Sequence, residues 1–238
     1  MITKKRYPRI YSQKHVRIYE SMTDAYTFPF STCEKPSNMM IAQPTSVLVN
    51  LISIVIILYF LLHCQQKATL MFFILLLCFE MWHTWSHVRH TPGFTQVRVI
   101  HVFAYLLNIS ILYMMVKFTG VMPSQKLVIL LVGLTFLDVW AFAKLPMIFY
   151  FTTQLTLVGA ILWAYLSLTP RQLQVYFIAF FVALTTLVAM FINESLNCKR
   201  MLKHFVFPYH ALIEMVGVIA FLLLGIIFST WDKIYTTK

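Results

Sequence analysis

Apolar residues run through this chain in seven blocks, at about 46–64, 69–90, 98–117, 126–143, 146–168, 173–193 and 207–230. A helix of about 20 such residues crosses roughly 30 Å of hydrocarbon, so the pattern predicts seven transmembrane helices. Short polar or helix-breaking stretches separate them: Gln65-Gln66-Lys67, Thr91-Pro92-Gly93, Gly120 with Pro123, Lys144 with Pro146, Thr169-Pro170-Arg171, and the polar run from Asn193 to Lys203. Connections this short make successive helices antiparallel. Residues 1–45 form a polar, aromatic-rich lead expected to lie on the membrane or to be poorly ordered, and 231–238 form a short tail. The expected fold class is an all-α integral-membrane bundle of seven helices spanning 46–230, with no soluble domain.

Composition agrees with that reading. Of 238 residues, 60% are hydrophobic and only 11% charged, with mean hydropathy +0.76. A soluble domain of this size could not hide so much apolar surface. The basic start is followed by polar residues rather than an apolar signal-peptide core, so the first helix is expected to act as its own insertion signal. The four cysteines include no CxxC pair, which predicts neither a zinc ribbon nor a disulfide framework.

The net charge of +11 is concentrated early, with Lys4, Lys5, Arg6, Arg9, Lys14 and Arg17 interleaved with Tyr7 and Tyr11. Beside a membrane, such a cluster sets topology or touches anionic lipid. No folded basic module accompanies it, which argues against nucleic-acid binding. Counting Lys and Arg puts thirteen on the N-terminal side of the bundle and six on the other. That asymmetry predicts a cytoplasmic N-terminus.

Antiparallel alternation then gathers the polar residues on one membrane face. Glu80, His83, Ser86, His87 and His90 fall near the end of the second helix and share a stripe of roughly 120°. His101 begins the third helix, Asp138 lies near the end of the fourth, and His210 and Glu214 open the seventh. Intramembrane ionisable groups face a bundle interior or a watery cavity, so several at one depth point to a site. Ser86/His90 and His210/Glu214 have the i,i+4 spacing that presents two side chains on one helical face. Imidazole plus carboxylate from one helix, with imidazole from another, makes a three-ligand catalytic zinc set. The bland alternative puts His83 and His87 in the headgroup layer, hydrogen-bonded to water or phosphate. Asp138 would by the same logic pair with Lys144 or accept from Trp140.

Three stretches together resemble the CREST-type seven-helix membrane hydrolases, which include alkaline ceramidases, adiponectin and progestin receptors, and GPI-anchor lipid-remodelling proteins. The Per-like remodelling group gives the nearest pattern. Gln43-Pro44-Thr45-Ser46-Val47 opens the first helix, Ser86-x-x-x-His90-Thr91 ends the second, and His210-Ala211-Leu212-Ile213-Glu214 begins the seventh. The resemblance implies Zn²⁺ held by His90, His210 and Glu214, with Ser86 and His101 around the attacking water. Asp138, Glu80, His87 and His83 would stand behind them. Glu214 replaces a family His and His101 replaces a family Asp. The implied activity is cleavage of an acyl ester or amide in a membrane lipid, either a GPI or phospholipid or a ceramide-like one, in an endomembrane such as ER or Golgi.

Two other readings share the scaffold: a non-enzymatic receptor or accessory protein with a structural metal, and a proton or metal transporter using the same groups. A rhodopsin is disfavoured because the seventh helix has no mid-membrane lysine. Orientation carries a conflict, since the remodelling relatives act on the lumenal face while the charge count puts the site in the cytoplasm. Asn193-Glu194-Ser195, read as a glycosylation sequon in the loop before the seventh helix, offers a test.

Overall fold

The computed structural model describes residues 32–34, 37, 40–89, 94–144, 147–204 and 207–236. Among them it is all-helical. The elements are α1 (Pro44–Leu62), α2 (Lys67–Val88), α3 (Phe94–Thr119), α4 (Gln125–Lys144), α5 (Met147–Tyr165, followed by a 3-10 turn at Leu166–Leu168), α6 (Arg171–His204) and α7 (Tyr209–Thr236). Each of the seven is long and apolar enough to cross a membrane. Leu48, Ile52, Val55 and Tyr59 of α1 point outward, as do Val175, Ile178 and Val182 of α6. A continuous apolar exterior of this kind suits lipid rather than water.

Local chemistry sets the helix ends. Pro44 stands in the first turn of α1, where its missing N–H costs nothing. Gly120 takes a φ of 70° after α3 and donates to the Val116 carbonyl at 2.8 Å, a left-handed stop that favours glycine. Ser124 caps α4 by accepting from Leu127 N at 3.3 Å. The N-terminus of α2 is capped from across the bundle. Asp232 on α7 accepts from Gln65 N at 2.7 Å, Gln66 N at 3.0 Å and the Thr69 hydroxyl at 2.9 Å.

α1 packs against both α2 and α7, α3 against α2 and α5, and α6 against α5 and α7, while α4 leans on α5 outside this ring. The close approach of α1 and α7 requires Gly225, because a Cβ there would stand 2.1 Å from the Phe60 ring. The core of Phe72, Phe73, Phe177, Phe228 and their neighbours fills the half of the bundle nearest Asp232.

Two expected boundaries move. The polar run Asn193–Lys203 was expected as a loop, yet α6 continues through it to His204 with a kink at Asn197. The Asn197 side chain donates to Asn193 Oδ1 at 2.7 Å, and Glu194 and Ser195 are buried, so local bonding and burial replace apolar periodicity as the helix's support. The sequon is therefore helical, with Asn193 exposed and Ser195 buried. At the other boundary, α2 ends at Val88 rather than near residue 90, with Arg89 extended. Ala42 N and Gln43 N bond the Val88 and His87 carbonyls, each at 3.0 Å, which ends the helix by satisfying its last acceptors. The Ser86/His90 spacing thus crosses a helix end.

The expectation of no disulfide framework is corrected by one bond. Cys33 and Cys198 form a disulfide with Cα atoms 5.4 Å apart. Their separation of 165 residues in sequence hides the pairing from any spacing rule.

Candidate metal centre

α2 places Glu80, His83 and His87 on one face, and α7 places His210 and Glu214 on the face opposite. Glu214 Oε1 lies 2.9 Å from His210 Nε2 and 3.5 Å from each of His83 Nε2 and His87 Nε2. The His83 and His87 Nε2 atoms are 3.1 Å apart. Ligands held about 2 Å from a tetrahedral zinc are about 3.3 Å from one another, so these spacings suit a single ion. Among the described residues, His83, His87 and Glu214 form a set whose ligand atoms all lie within 4.8 Å of one another, and His210 adjoins it through Glu214.

The outer nitrogen of each ring is already engaged. His87 Nδ1 meets Gln43 Oε1 at 2.5 Å, His210 Nδ1 meets the Glu194 carboxylate at 3.0 and 3.2 Å, and His83 Nδ1 lies 3.4 Å from Glu80 Oε2. Each of those partners is an acceptor, so in a neutral ring Nδ1 carries the proton and Nε2 presents a lone pair. Gln43 is itself oriented, since its amide nitrogen donates to Thr32 Oγ1 and to the Glu34 carbonyl. In that tautomer three lone pairs and a carboxylate oxygen face one another, an arrangement that a bound cation relieves, as does a proton on Nε2. Outer acceptors that fix the tautomer are the usual support of metal-binding histidines.

The lead supplies part of this support. Cys33 N donates to Glu194 Oε1 at 2.6 Å, and the disulfide beside it ties the lead to α6. Glu34 accepts from the Ser46 hydroxyl. Burial pushes the Glu34 carboxyl above its ordinary value, while that bond and the charge of His210 pull it back.

A cavity of about 220 Å³ opens from the cluster into the bundle. His83, His87, Glu80, Glu194, His210 and Glu214 line its polar end. Phe72, Leu76, Ile111, Phe180, Leu184 and Leu224 line its depth. From Glu214 to Leu224 the wall descends about 15 Å at a helical rise. The shape suits an acyl chain whose polar end meets the cluster.

The remaining candidate residues fall elsewhere. His90 lies outside the described residues, as does the basic cluster Lys4–Arg17. Ser86 turns back on its own helix, donating to the His83 carbonyl at 2.5 Å. His101 stands in a second polar cluster, its Nε2 3.3 Å from Asp138 Oδ2. Asp138 also accepts from Tyr105 at 2.5 Å and Gln154 at 2.8 Å, so its partners lie on α3 and α5. His83 and His87, read as headgroup-layer histidines in the bland alternative, are turned inward instead, and His87 is only 1% exposed. Sequence reasoning missed Glu194 because it assigned that stretch to a loop, although an acidic residue closing an apolar run was the available signal. It missed Gln43 as a histidine partner because that contact spans 44 residues. No protein-family model, curated protein or solved structure matches the chain.

Proposed function

We propose that this chain is an integral-membrane, zinc-dependent hydrolase that cleaves an acyl ester or amide bond of a lipid. One observation carries the reading: the Nε2 atoms of His83, His87 and His210 each lie within 3.5 Å of Glu214 Oε1, and each imidazole meets an acceptor at Nδ1. The apolar cavity beside them accounts for a lipid, and the resemblance of the first and seventh helices to seven-helix membrane hydrolases supports the same chemistry.

His83, His87, His210 and Glu214 would hold the ion, a donor set that zinc accepts. When bound, zinc lowers the pKa of a coordinated water to about 7, which makes it nucleophilic at neutral pH. The protein's own groups do the rest. Gln43, Glu194 and Glu80 hold the imidazole rings in place. Glu80 Oε1 is buried with no partner in the protein, beside the cluster and lining the cavity, where it can take a proton from the attacking water and return it to the leaving group. The cavity wall excludes bulk water and fixes the acyl chain.

The disulfide also supports an orientation. Disulfides persist in oxidising compartments, and Cys33 and Cys198 lie on the same face as the cluster. The site is therefore proposed to face the lumen of an endomembrane, the reverse of the charge count. Differential thiol labelling in intact cells tests this: both cysteines should be oxidised, and free thiols at both would return the site to the cytoplasm.

The hydrolase itself is tested by metal content and acyl release from purified protein. Stoichiometric zinc and acyl release that both disappear in His210→Ala are expected, with acyl release also abolished by a chelator. Acyl release that survives chelation removes the mechanism. Zinc flux into sealed vesicles without cleavage would point to the transporter instead.

A further inference from the structure

The second polar cluster reaches the same cavity from the opposite wall, and its hydrogen bonds have a fixed direction. Asp138 Oδ2 receives the Tyr105 hydroxyl and the Gln154 amide, at 2.5 and 2.8 Å. An oxygen that accepts twice is not the protonated one, whatever the charge on the carboxyl group. Gln154 therefore presents its NH₂ to Asp138, and its Oε1 faces Asn108. Asn108 in turn must present its own NH₂, which donates to Gln154 Oε1 at 2.6 Å and to the Ala104 carbonyl at 3.1 Å. Both Asn108 protons are committed, and the atom left over is Oδ1.

That oxygen has no hydrogen-bond partner in the protein. Asn108 is only 7% exposed, and it lines the cavity together with Gln154. The apolar wall around it, including Leu107, Ile111, Leu155 and Val158, offers no donor. A buried acceptor left unpaired is unfavourable, so a ligand that supplies an N–H or O–H gains over one that does not.

We infer that Asn108 Oδ1 is a specificity subsite of this cavity, selecting lipids that carry a hydroxyl or amide N–H donor beside the acyl chain over lipids whose polar atoms only accept. This deepens the lipid-hydrolase reading and rests on it for the biological ligand, but the subsite is measurable without any cleavage. Tyr105, Gln154 and Asp138 act through Asn108 by fixing which way its amide points.

The test uses two probes that no hydrolase can cleave, hexadecanol and methyl hexadecyl ether. They share the chain and the oxygen, and in the ether a methyl group replaces the donor proton. Each competes against a fluorescent fatty-acyl probe on the purified full-length protein in detergent. The wild type should bind the alcohol about ten-fold more tightly than the ether, and Asn108→Leu should bind both with the weaker affinity. Equal binding of the two probes by the wild type overturns the subsite without recourse to a variant, and so does binding of neither. A preference that persists in Asn108→Leu overturns the assignment to this residue, with Asn108→Ala as substitute if the leucine variant does not fold. Zinc content measured on the same samples separates the two ideas. A lost preference with zinc retained removes only the subsite, and absent zinc with the preference retained removes only the metal mechanism.

Discussion

Among the described residues two histidine–carboxylate clusters stand out, and they are built in opposite ways. Around Asp138, donors converge on an acceptor: Tyr105 and Gln154 both supply protons to one carboxylate oxygen. Around Glu214, acceptors converge on one another. Three Nε2 lone pairs meet a carboxylate oxygen, because Gln43, Glu194 and Glu80 take the protons on the far side of each ring. The first arrangement satisfies Asp138 Oδ2 without any added charge. The second gains from positive charge at its centre, whether a metal ion or protons on the Nε2 atoms. Residue types alone do not distinguish the two, since both hold histidine, carboxylate and amide. The direction of the outer hydrogen bonds does.

Four experiments press on that contrast. The largest effect should come from His87→Ala, which removes a central nitrogen and should abolish stoichiometric zinc by elemental analysis, whereas Asp138→Asn should leave zinc unchanged. Equal loss in both would mean that the clusters form one unit. Next, Asp138→Leu strands the Tyr105 hydroxyl and the Gln154 amide in the bundle interior. It should lower stability by about 3 kcal/mol in detergent unfolding, with zinc retained in the folded fraction. An unfolding midpoint like that of the wild type would show that the network contributes little. Third, Glu194→Ala leaves the ligand atoms in place but removes the acceptor behind His210, which should weaken zinc binding by roughly 10–100-fold in competition with a calibrated chelator. Unchanged affinity would make Glu194 a tether for Cys33 and nothing more.

The smallest effect concerns Glu34 in the lead. Its folded-state pKa is raised by burial, so the stability it contributes is complete below the unfolded value and is lost as pH rises through the folded one. Ser46 and His210 are the groups that oppose the shift. Glu34→Gln should flatten stability against pH across that window. A curve that keeps the wild-type slope would assign the dependence to another group.

The seven helices were legible because the bilayer-length pattern is local: each apolar run carries its own evidence, and each break has a Pro, Gly or polar cluster. The polar face was legible for the same reason, since antiparallel alternation needs only the order of the helices. Glu214 and His210 could be paired because one helix places them four apart. The partner from α2 was harder to read. Glu80, His83 and His87 share one stripe with Ser86, and choosing among them requires the rotation of α2, which depends on how α1 and α7 pack against it. The expectation for Asn193–Lys203 failed for a related reason. Polar composition argues for a loop only when the polar groups are in water, and there Glu194 is buried against His210 and the lead.

Sequence alone determined that the chain has seven bilayer-length helices and that its ionisable residues gather toward one end of the bundle. Both follow from interactions within a helical segment and from the cost of placing charge in hydrocarbon. Only the tertiary structure decided which histidines converge, which carboxylate stands behind each, that Cys33 reaches Cys198, and that Asn108 is left with an unmatched oxygen. Those outcomes depend on contacts between residues tens to more than a hundred positions apart, where a rotation of one helix by a single residue exchanges a ligand for a lipid-facing side chain.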